Sequence, residues 1–427
     1  MSLALLNMMT TFSSSVFGST TRVTAREFGV SNEVMILATS LFLVGFIFGP
    51  FIFAPLSELY GRQTPMLCGF FVLALFQIPV AVAQNLGTIL VCRFLQGVFS
   101  SSAQAIAGGA LADIWNAQER GLAVPVFAAS LFVGPILGPI VRAFVTESSL
   151  GWRWIQWITM IVAAFFGTGA FFIVPETYGP VLLARRAKRL RFNTGNWALH
   201  SRHEAQEVWL QGIITRYIAR PMKMLVLEPM LTSLTVYMAF VFGLTYLCFQ
   251  ASPISFGQDR GFPTGTVALP LISILVGAFG GCLVIATTTK TMLAPNPEQG
   301  RVQEARLGLT IGLFWFAWTS FPSTSPWPQI IAVVPIGFGL ILITLQGMNY
   351  IIDCYLRYAN SALAANTSVR YCFAAGFPLF ATSMWDTLGV QWATSLLGFV
   401  GLALLPLPVL FYISGPKIRS SSRYVPE

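Results

Sequence analysis

Long apolar runs recur from one end of this 427-residue chain to the other. A run of about 20 residues, wound into a helix, crosses the roughly 30 Å hydrocarbon core of a bilayer. Charged residues make up only 10% of the sequence, whereas soluble domains carry about 25%. Because so little charge cannot cover a surface in water, the sequence predicts a multi-pass membrane protein.

Twelve apolar segments are long enough to be membrane spans. We interpret them as helices, because the strands of a membrane barrel would alternate apolar and polar residues. The fold class predicted is therefore an all-α membrane protein with twelve transmembrane helices. The first span begins next to Met1, where we expect a missing or truncated cytoplasmic tail. The predicted spans cover residues 2–21, 34–56, 65–84, 87–111, 122–145, 153–175, 230–251, 266–287, 307–323, 328–350, 362–385 and 390–413.

Lysine and arginine are distributed unevenly between the two sides that these spans define. With the N-terminus in the cytoplasm, the inner segments hold 18 basic residues and the outer loops hold 4. By the positive-inside rule, this predicts that both termini are cytoplasmic. The formal charge of +9 is therefore a topology signal, and we expect no nucleic-acid partner.

Residues 176–229 form the one long hydrophilic segment, with six predicted spans on each side of it. We predict two pseudo-symmetric six-helix halves, 1–175 and 230–427, joined by a basic cytoplasmic loop and followed by a short cytoplasmic tail. This layout is typical of transporters built from two repeats. The basic stretch ARRAKRLR is interpreted as a linker lying against lipid headgroups rather than as a nuclear-import or heparin-binding patch.

Signatures of enzymes and of metal or cofactor sites are missing from the sequence. There is no GxxxxGK[ST], HExxH or GxSxG, so we expect neither an enzyme nor a nucleotide-driven pump. The six cysteines lie in or beside apolar runs, and His200 and His203 share one polar segment. Such a set is too sparse for a metal site, and we predict no cofactor.

A charged cluster is predicted at the loop between spans two and three, which reads APLSELYGRQTPM. Gly61 permits a tight turn, and Glu58 and Arg62 can form a charge lock with helix ends that present Asp113 and Arg120. The alternative is a solvated ion pair worth less than about 1 kcal/mol.

The fourth span carries an arginine, Arg93, in the stretch RFLQGVF with Gln96 and Gly97. An arginine inside an apolar helix is unfavourable unless it faces a partner or a wet cavity, so Arg93 is a functional candidate. The alternative is that its side chain extends to the membrane surface.

The fifth span contains two Gly-Pro pairs in FVGPILGPIVRAFV, formed by Gly134, Pro135, Gly138 and Pro139. Glycines four residues apart let a facing helix pack closely, and neighbouring helices can satisfy backbone groups that proline leaves free. We predict a kinked, tight seam between the outer ends of spans. Arg142, near the outer end, is expected to reach water.

These three stretches resemble, in order, the loop motif, the fourth-span motif and the fifth-span exporter motif of the major facilitator superfamily. Arg142 stands where the exporter motif usually continues with glycine. With PETYGPVLLARRAKRLRFNTGN, GLFWFAWTS and YANSALAANTSVRYCFAAGFPLF, the whole chain resembles the fungal twelve-span drug:proton antiporter subfamily. The resemblance implies gating by the loop cluster and a coupling role for Arg93, Gln96 and Gly97. It also implies export of a small lipophilic organic compound in exchange for protons, by a monomer in the plasma membrane.

Alternating access places the substrate in a midplane cavity between the two halves. Polar and aromatic residues of spans one, four, seven, ten and eleven are the candidates for lining it, and helix–helix hydrogen bonding is their alternative role. For the two residues of span eleven we also consider packing of the inner gate. The candidates are Asn7, Gln104, Tyr237, Tyr246, Gln346, Asn349, Asn366 and Arg370.

None of the sixteen acids lies deep in a predicted span. Arg93 therefore lacks an obvious counter-ion: either an acid at a span end reaches it, or proton coupling is altered or lost. A polyamine site would need several buried carboxylates, so we predict a neutral or anionic lipophilic substrate. The alternatives are a facilitator or importer of a polyamine or other small solute, and a non-transporting sensor or degenerate protein.

Overall fold

The computed structural model describes residues 1–18, 21–115, 117–201, 204, 214–263, 265–291, 298–355 and 358–406. Helices account for most of these residues, and no strand occurs among them. The first half contains α1 (Ser2–Ser15), α2 (Thr21–Phe28), α3 (Asn32–Tyr60), α4 (Gln63–Ala81), α5 (Leu86–Ile114), α6 (Ala117–Glu147) and α7 (Arg153–Ile173).

The central segment and the second half are also helical where described. The central segment holds α8 (Gly179–Thr194), a π-helical turn (Ile214–Ala219) and α9 (Arg220–Leu227). The second half holds α10 (Pro229–Ser252) with a π-helical continuation (Pro253–Gln258), a 3₁₀ turn (Leu269–Leu271), α11 (Ile272–Thr291), α12 (Glu298–Trp318), α13 (Pro326–Tyr355) and α14 (Ala359–Leu404).

Each predicted span falls at least in part on a described helix. Within the described residues, eight helices are long and apolar enough to cross a membrane, and shorter apolar stretches occur at Leu269–Ile285 and Gly308–Trp318. The number of crossings and the side on which each end lies remain predictions. Gly389, with φ of 74°, interrupts α14 between predicted spans eleven and twelve.

The first helix is shorter than its predicted span, because α1 ends at Ser15 rather than near residue 21. Hydroxyl groups crowd its last turns and bond back to carbonyls of the preceding turn, as Ser14 Oγ does to Thr11 O at 2.6 Å. Such bonds weaken and bend a helix. Elsewhere the ends follow ordinary capping: Asn85 Oδ1 accepts a backbone N–H at the start of α5, at 2.8 Å.

Glycines hold the helices of each half together at very short range. A Cβ on Gly45 of α3 would collide with the backbone of α5, and one on Gly97 of α5 would collide with the backbone of α3. The same reciprocal arrangement recurs in the second half, between Gly277 of α11 and Gly337 of α13. The repeated seam is what two pseudo-symmetric halves should show.

The Gly-Pro segment forms another such seam, within the first half. Helix α6 runs without interruption through Pro135 and Pro139. A Cβ on Gly134 would meet the backbone of Met8, and one on Gly138 would meet that of Val16. The segment therefore packs against α1, and its role as a kinked seal stays a prediction.

We expect Gly134→Ala to lower the unfolding midpoint of the purified protein, because the added methyl meets a backbone that cannot move aside; overpacking of this kind costs about 1–3 kcal/mol. Thermal unfolding in detergent measures it. Gly169→Ala in α7 is the control, since a Cβ there has open space and alanine favours the helix. Equal midpoints for the two variants would contradict the close seam.

Candidate functional site

Arg93 of α5 is fully buried, and backbone carbonyls serve as its partners. Its guanidinium donates to Ser13 O (3.0 Å) and Ser14 O (3.2 Å) of α1 and to Ala38 O (3.4 Å) of α3, and lies over the ring of Phe42 at 4.5 Å. The last carbonyls of a helix have no partner within it and carry the negative end of the helix dipole. Arg93 therefore caps α1, which explains how it is buried without a carboxylate.

A chain of amides extends from this guanidinium to α4. Arg93 Nη1 donates to Gln96 Oε1 (3.1 Å), and Gln96 Nε2 donates to Phe76 O (2.8 Å) and Gln77 Oε1 (3.2 Å). Gln77 Nε2 donates in turn to Ser13 Oγ (2.8 Å). The network joins α1, α4 and α5. Gln77, one polar residue in an apolar run, was missed from the sequence.

Arg370 of α14 differs sharply from Arg93. Only 1% of it is exposed, and its Nε, Nη1 and Nη2 atoms have no hydrogen-bond partner in the described structure. The guanidinium lies over the ring of Phe242 at 5.0 Å. Of these two fully buried arginines in the described part of the chain, Arg93 has satisfied donors and Arg370 has unused donors.

We expect Arg93→Met and Arg370→Met to affect stability differently. Arg93→Met leaves buried carbonyls without donors and should lower the free energy of unfolding by roughly 1–3 kcal/mol. Arg370→Met removes an unpaired buried charge and should leave stability unchanged or raise it. Denaturation in detergent, followed by tryptophan fluorescence, compares them. Equal losses would show that Arg370 has partners as strong as those of Arg93.

The two halves meet near Arg370 through hydroxyl groups and rings. Ser14 Oγ and Tyr246 Oη lie 3.2 Å apart, and Tyr371 Oη donates to Gln104 Oε1 at 2.5 Å. The Tyr371 ring stacks on Phe46, with centroids 4.6 Å apart. All three contacts join the first half to the second.

A cavity of about 400 Å³ lies between the halves, next to this contact region. It is lined from the first half by residues including Thr39 and Arg142, and from the second half by residues including Tyr246, Phe249 and Gln250. None of the described residues that line it is an acid. It extends toward the loops before α3 and after α10, the predicted outer side.

Most of the predicted cavity residues lie elsewhere. Of the eight, only Tyr246 lines this cavity in the described structure. Asn7 Nδ2 bonds Ser130 Oγ (2.8 Å) and Asn366 Nδ2 bonds Thr235 Oγ1 (3.3 Å), which is the helix–helix alternative. The remaining placements are these: Gln104 bonds Tyr371, Tyr237 and Arg370 are buried, Gln346 is half-buried and Asn349 is exposed.

Arg142 was expected to extend to water, but it is buried, 6% exposed, and lines the cavity. Its position in the sequence, near a span end, gave the distance to the surface but not the direction of the side chain. The sequence also did not predict the cavity-lining polar residues Thr39 and Gln250. One threonine or glutamine in an apolar run can line a cavity or bond a neighbouring helix, and the sequence does not distinguish the two.

The predicted charge lock is formed in part, at the end of the first half that lies opposite the cavity. Arg62 Nε pairs with Asp113 Oδ2 at 3.1 Å, and the guanidinium lies over the ring of Tyr178 at 4.7 Å. Glu58 instead accepts a hydrogen bond from Tyr217 of the central segment. The side chain of Arg120 lies outside the described residues. The gating role of this cluster remains a prediction.

Glu176 completes this cluster and was missed from the sequence. Its carboxylate accepts hydrogen bonds from the backbone N–H groups of Arg62 (2.7 Å), which is the N-cap of α4, and of Gln63 (3.2 Å), which is its first residue. Gly61 has φ of 95°, and a Cβ there would collide with Glu176. An anion at a helix N-terminus is stabilising, so Glu176 fixes the end of α7 to the start of α4.

On the predicted outer side, Glu27 joins α2 to α7. Its carboxylate accepts hydrogen bonds from Trp152 Nε1 (2.6 Å) and Arg153 Nη1 (2.5 Å). Partial burial by itself raises the pKa of Glu27, but these hydrogen bonds and the charge of Arg153 outweigh it and lower the pKa below its usual value. The carboxylate thus stays charged and holds the loop beside the cavity.

Two helical halves around an inter-half cavity, with a charge cluster at one end, define the arrangement. The family model described as the Major Facilitator Superfamily matches residues 3–378. The chain belongs to the major facilitator superfamily. It is a multi-pass membrane transporter and not an enzyme, as the sequence predicted.

Relatives of this major facilitator protein are fungal transporters. It is 51% identical to a citrinin biosynthesis cluster MFS transporter of Monascus ruber, over 99% of this chain and 87% of that protein. It is 48% identical to the cercosporin MFS transporter of Cercospora nicotianae, over 100% and 85%. These relatives confirm the predicted resemblance to fungal drug-efflux transporters of the superfamily.

Its fold is shared with solved transporters. The proton:xylose symporter XylE, bound to 6-bromo-6-deoxy-D-glucose, superposes with a TM-score of 0.69 at 17% identity, over 96% of this chain and 94% of that one. At that identity the likeness concerns the fold alone, and it confirms the predicted all-helical major facilitator architecture.

Proposed function

We propose that this transporter exports a small lipophilic secondary metabolite by alternating access, in exchange for protons. The observation that carries the proposal is the identity of about half of the residues, along nearly the whole chain, with transporters named for citrinin and cercosporin. The metabolite itself is a matter for experiment, since relatives named for different compounds match almost equally well.

The chemistry of the inter-half cavity supports a lipophilic substrate. Aromatic side chains such as Tyr246, Phe249 and Phe262 line it with uncharged polar groups and the cation Arg142. A polyamine would bring two or more positive charges to a cavity whose described lining holds no acid. The cavity therefore favours a neutral or anionic compound over the polyamine alternative.

Proton exchange needs a titratable group that the structural change exposes in turn to each side. Among the described carboxylates, Glu228 is the most buried, at 2% exposure, and Tyr355 Oη donates to its Oε2 at 3.4 Å. It precedes α10 directly, at a span end rather than at the midplane. Glu228 therefore lies where an end-of-span acid would lie and not at the midplane.

We expect cells that express the protein to expel citrinin or cercosporin, and a protonophore to abolish the export. Intracellular accumulation of each compound, measured with and without the protonophore against cells carrying an empty vector, tests this. Export that the protonophore does not reduce would indicate facilitated movement of the compound instead of exchange for protons. Accumulation of both compounds equal to that with the empty vector would contradict their export by this protein.

The polyamine alternative has its own test in vesicles that contain the purified protein. Uptake of labelled spermine that depends on the protein would overturn the lipophilic substrate. We expect uptake equal to that of protein-free vesicles.

A further inference from the structure

The unused donors of Arg370 distinguish it from the other fully buried arginine. Arg93 is fixed by three backbone carbonyls and by Gln96, so its charge serves packing. Arg370 is just as buried, yet none of its nitrogens is bonded in the described structure. A buried cation without partners is unfavourable for folding, and in membrane proteins such groups mark ligand or ion sites.

Aromatic rings surround this charge at the junction of the halves. The ring of Phe242 lies under the guanidinium and meets both Tyr246 (centroids 5.7 Å apart) and Tyr371 (5.3 Å) edge-on. Tyr246 also lines the inter-half cavity. The contacts of Phe242 and Tyr246 thus link Arg370 to the cavity wall.

We propose that Arg370 is the anion-recognition group of the substrate site, and that the site takes a planar aromatic monoanion such as a carboxylate or enolate. The inference rests on the proposed function and narrows its substrate class. A guanidinium presents a rigid fork of donors that matches a carboxylate with two parallel hydrogen bonds. The rings of Phe242, Tyr246 and Tyr371 supply the apolar and stacking surface for the rest of the ligand.

The single positive charge of Arg370 matches a ligand with a single negative charge. The charge of Arg93 is already offset by the carbonyl end of α1, whereas that of Arg370 has no such offset. A bound monoanion would neutralise the site. The hydrogen bond between Ser14 and Tyr246, which joins the halves beside the cavity, would open as the ligand passes from the cavity to Arg370.

The test measures binding to the purified full-length protein in detergent at pH 7, by equilibrium dialysis. The probes are naphthalene-2-carboxylate and anthracene-2-carboxylate, each compared with its neutral carboxamide, which has the same shape. For the wild type we expect the carboxylates to bind about 10- to 100-fold more tightly, as hydrogen bonds to a buried charge allow. Arg370→Gln should reduce that ratio to about one while retaining carboxamide binding.

Arg191→Gln is the control and should keep the ratio, since Arg191 pairs with Glu204 on the central segment, outside the cavity. Arg142→Gln tests whether the cation of the cavity wall carries the preference instead. Arg370→Lys keeps the charge but loses the fork, so it should retain part of the preference. It also keeps the proposal testable if Arg370→Gln does not fold, because a carboxylate Kd unchanged by Arg370→Lys would overturn it.

Two further results separate this inference from the function on which it rests. If carboxylate and carboxamide bind the wild type equally, or if the preference disappears in Arg142→Gln instead, Arg370 does not recognise the anion, yet a lipophilic ligand is still bound. If neither member of either pair binds, the proposed lipophilic substrate fails together with the inference.

Discussion

The bond between the Arg93 guanidinium and the carbonyl end of α1 is the constraint on which the first half depends. Helix α1 is short and its last turns are polar, so its carbonyls would be costly to bury among apolar helices without donors. Arg93 provides those donors and, through Gln96 and Gln77, connects α1 to α4 and α5. The charge is accommodated because the helix end it meets is itself partly negative.

The same logic explains why Arg370 stands out. Both arginines are equally buried, so exposure alone does not separate them; what separates them is whether carbonyl oxygens lie within reach of the guanidinium. Arg370 lies in the middle of a regular helix packed against aromatic rings, where carbonyls are used up by the helices themselves. Guanidinium donors that stay buried without partners lower the stability of the fold, and a loss of stability of this kind is typical of functional sites.

The sequence predicted the helical class and most helix positions, because the length of an apolar run is a local signal. Partners were harder to predict. Ser13 and Ser14 act on Arg93 through main-chain oxygens, which no side-chain type identifies. Glu176 meets the start of α4 only in three dimensions.

The direction in which a side chain points from its helix was the other property that the sequence did not predict. Arg142 and Asn7 both occur as single polar residues in apolar runs, but one lines the cavity and the other bonds a neighbouring helix. The rotation of each helix about its own axis decides between the two. Periodicity is too weak a guide to that rotation in helices that are apolar on most faces.

Contacts within a half and contacts between halves are made in different ways, and this difference suits a rocking transporter. Within each half, glycines such as Gly45, Gly97, Gly277 and Gly337 bring one helix against the backbone of another, and such seams cannot slide without collision. Between the halves, hydroxyl groups and rings make contacts that water or a ligand can replace. When the halves separate, no backbone group that these contacts join is left buried without a partner, so each half can move as a unit.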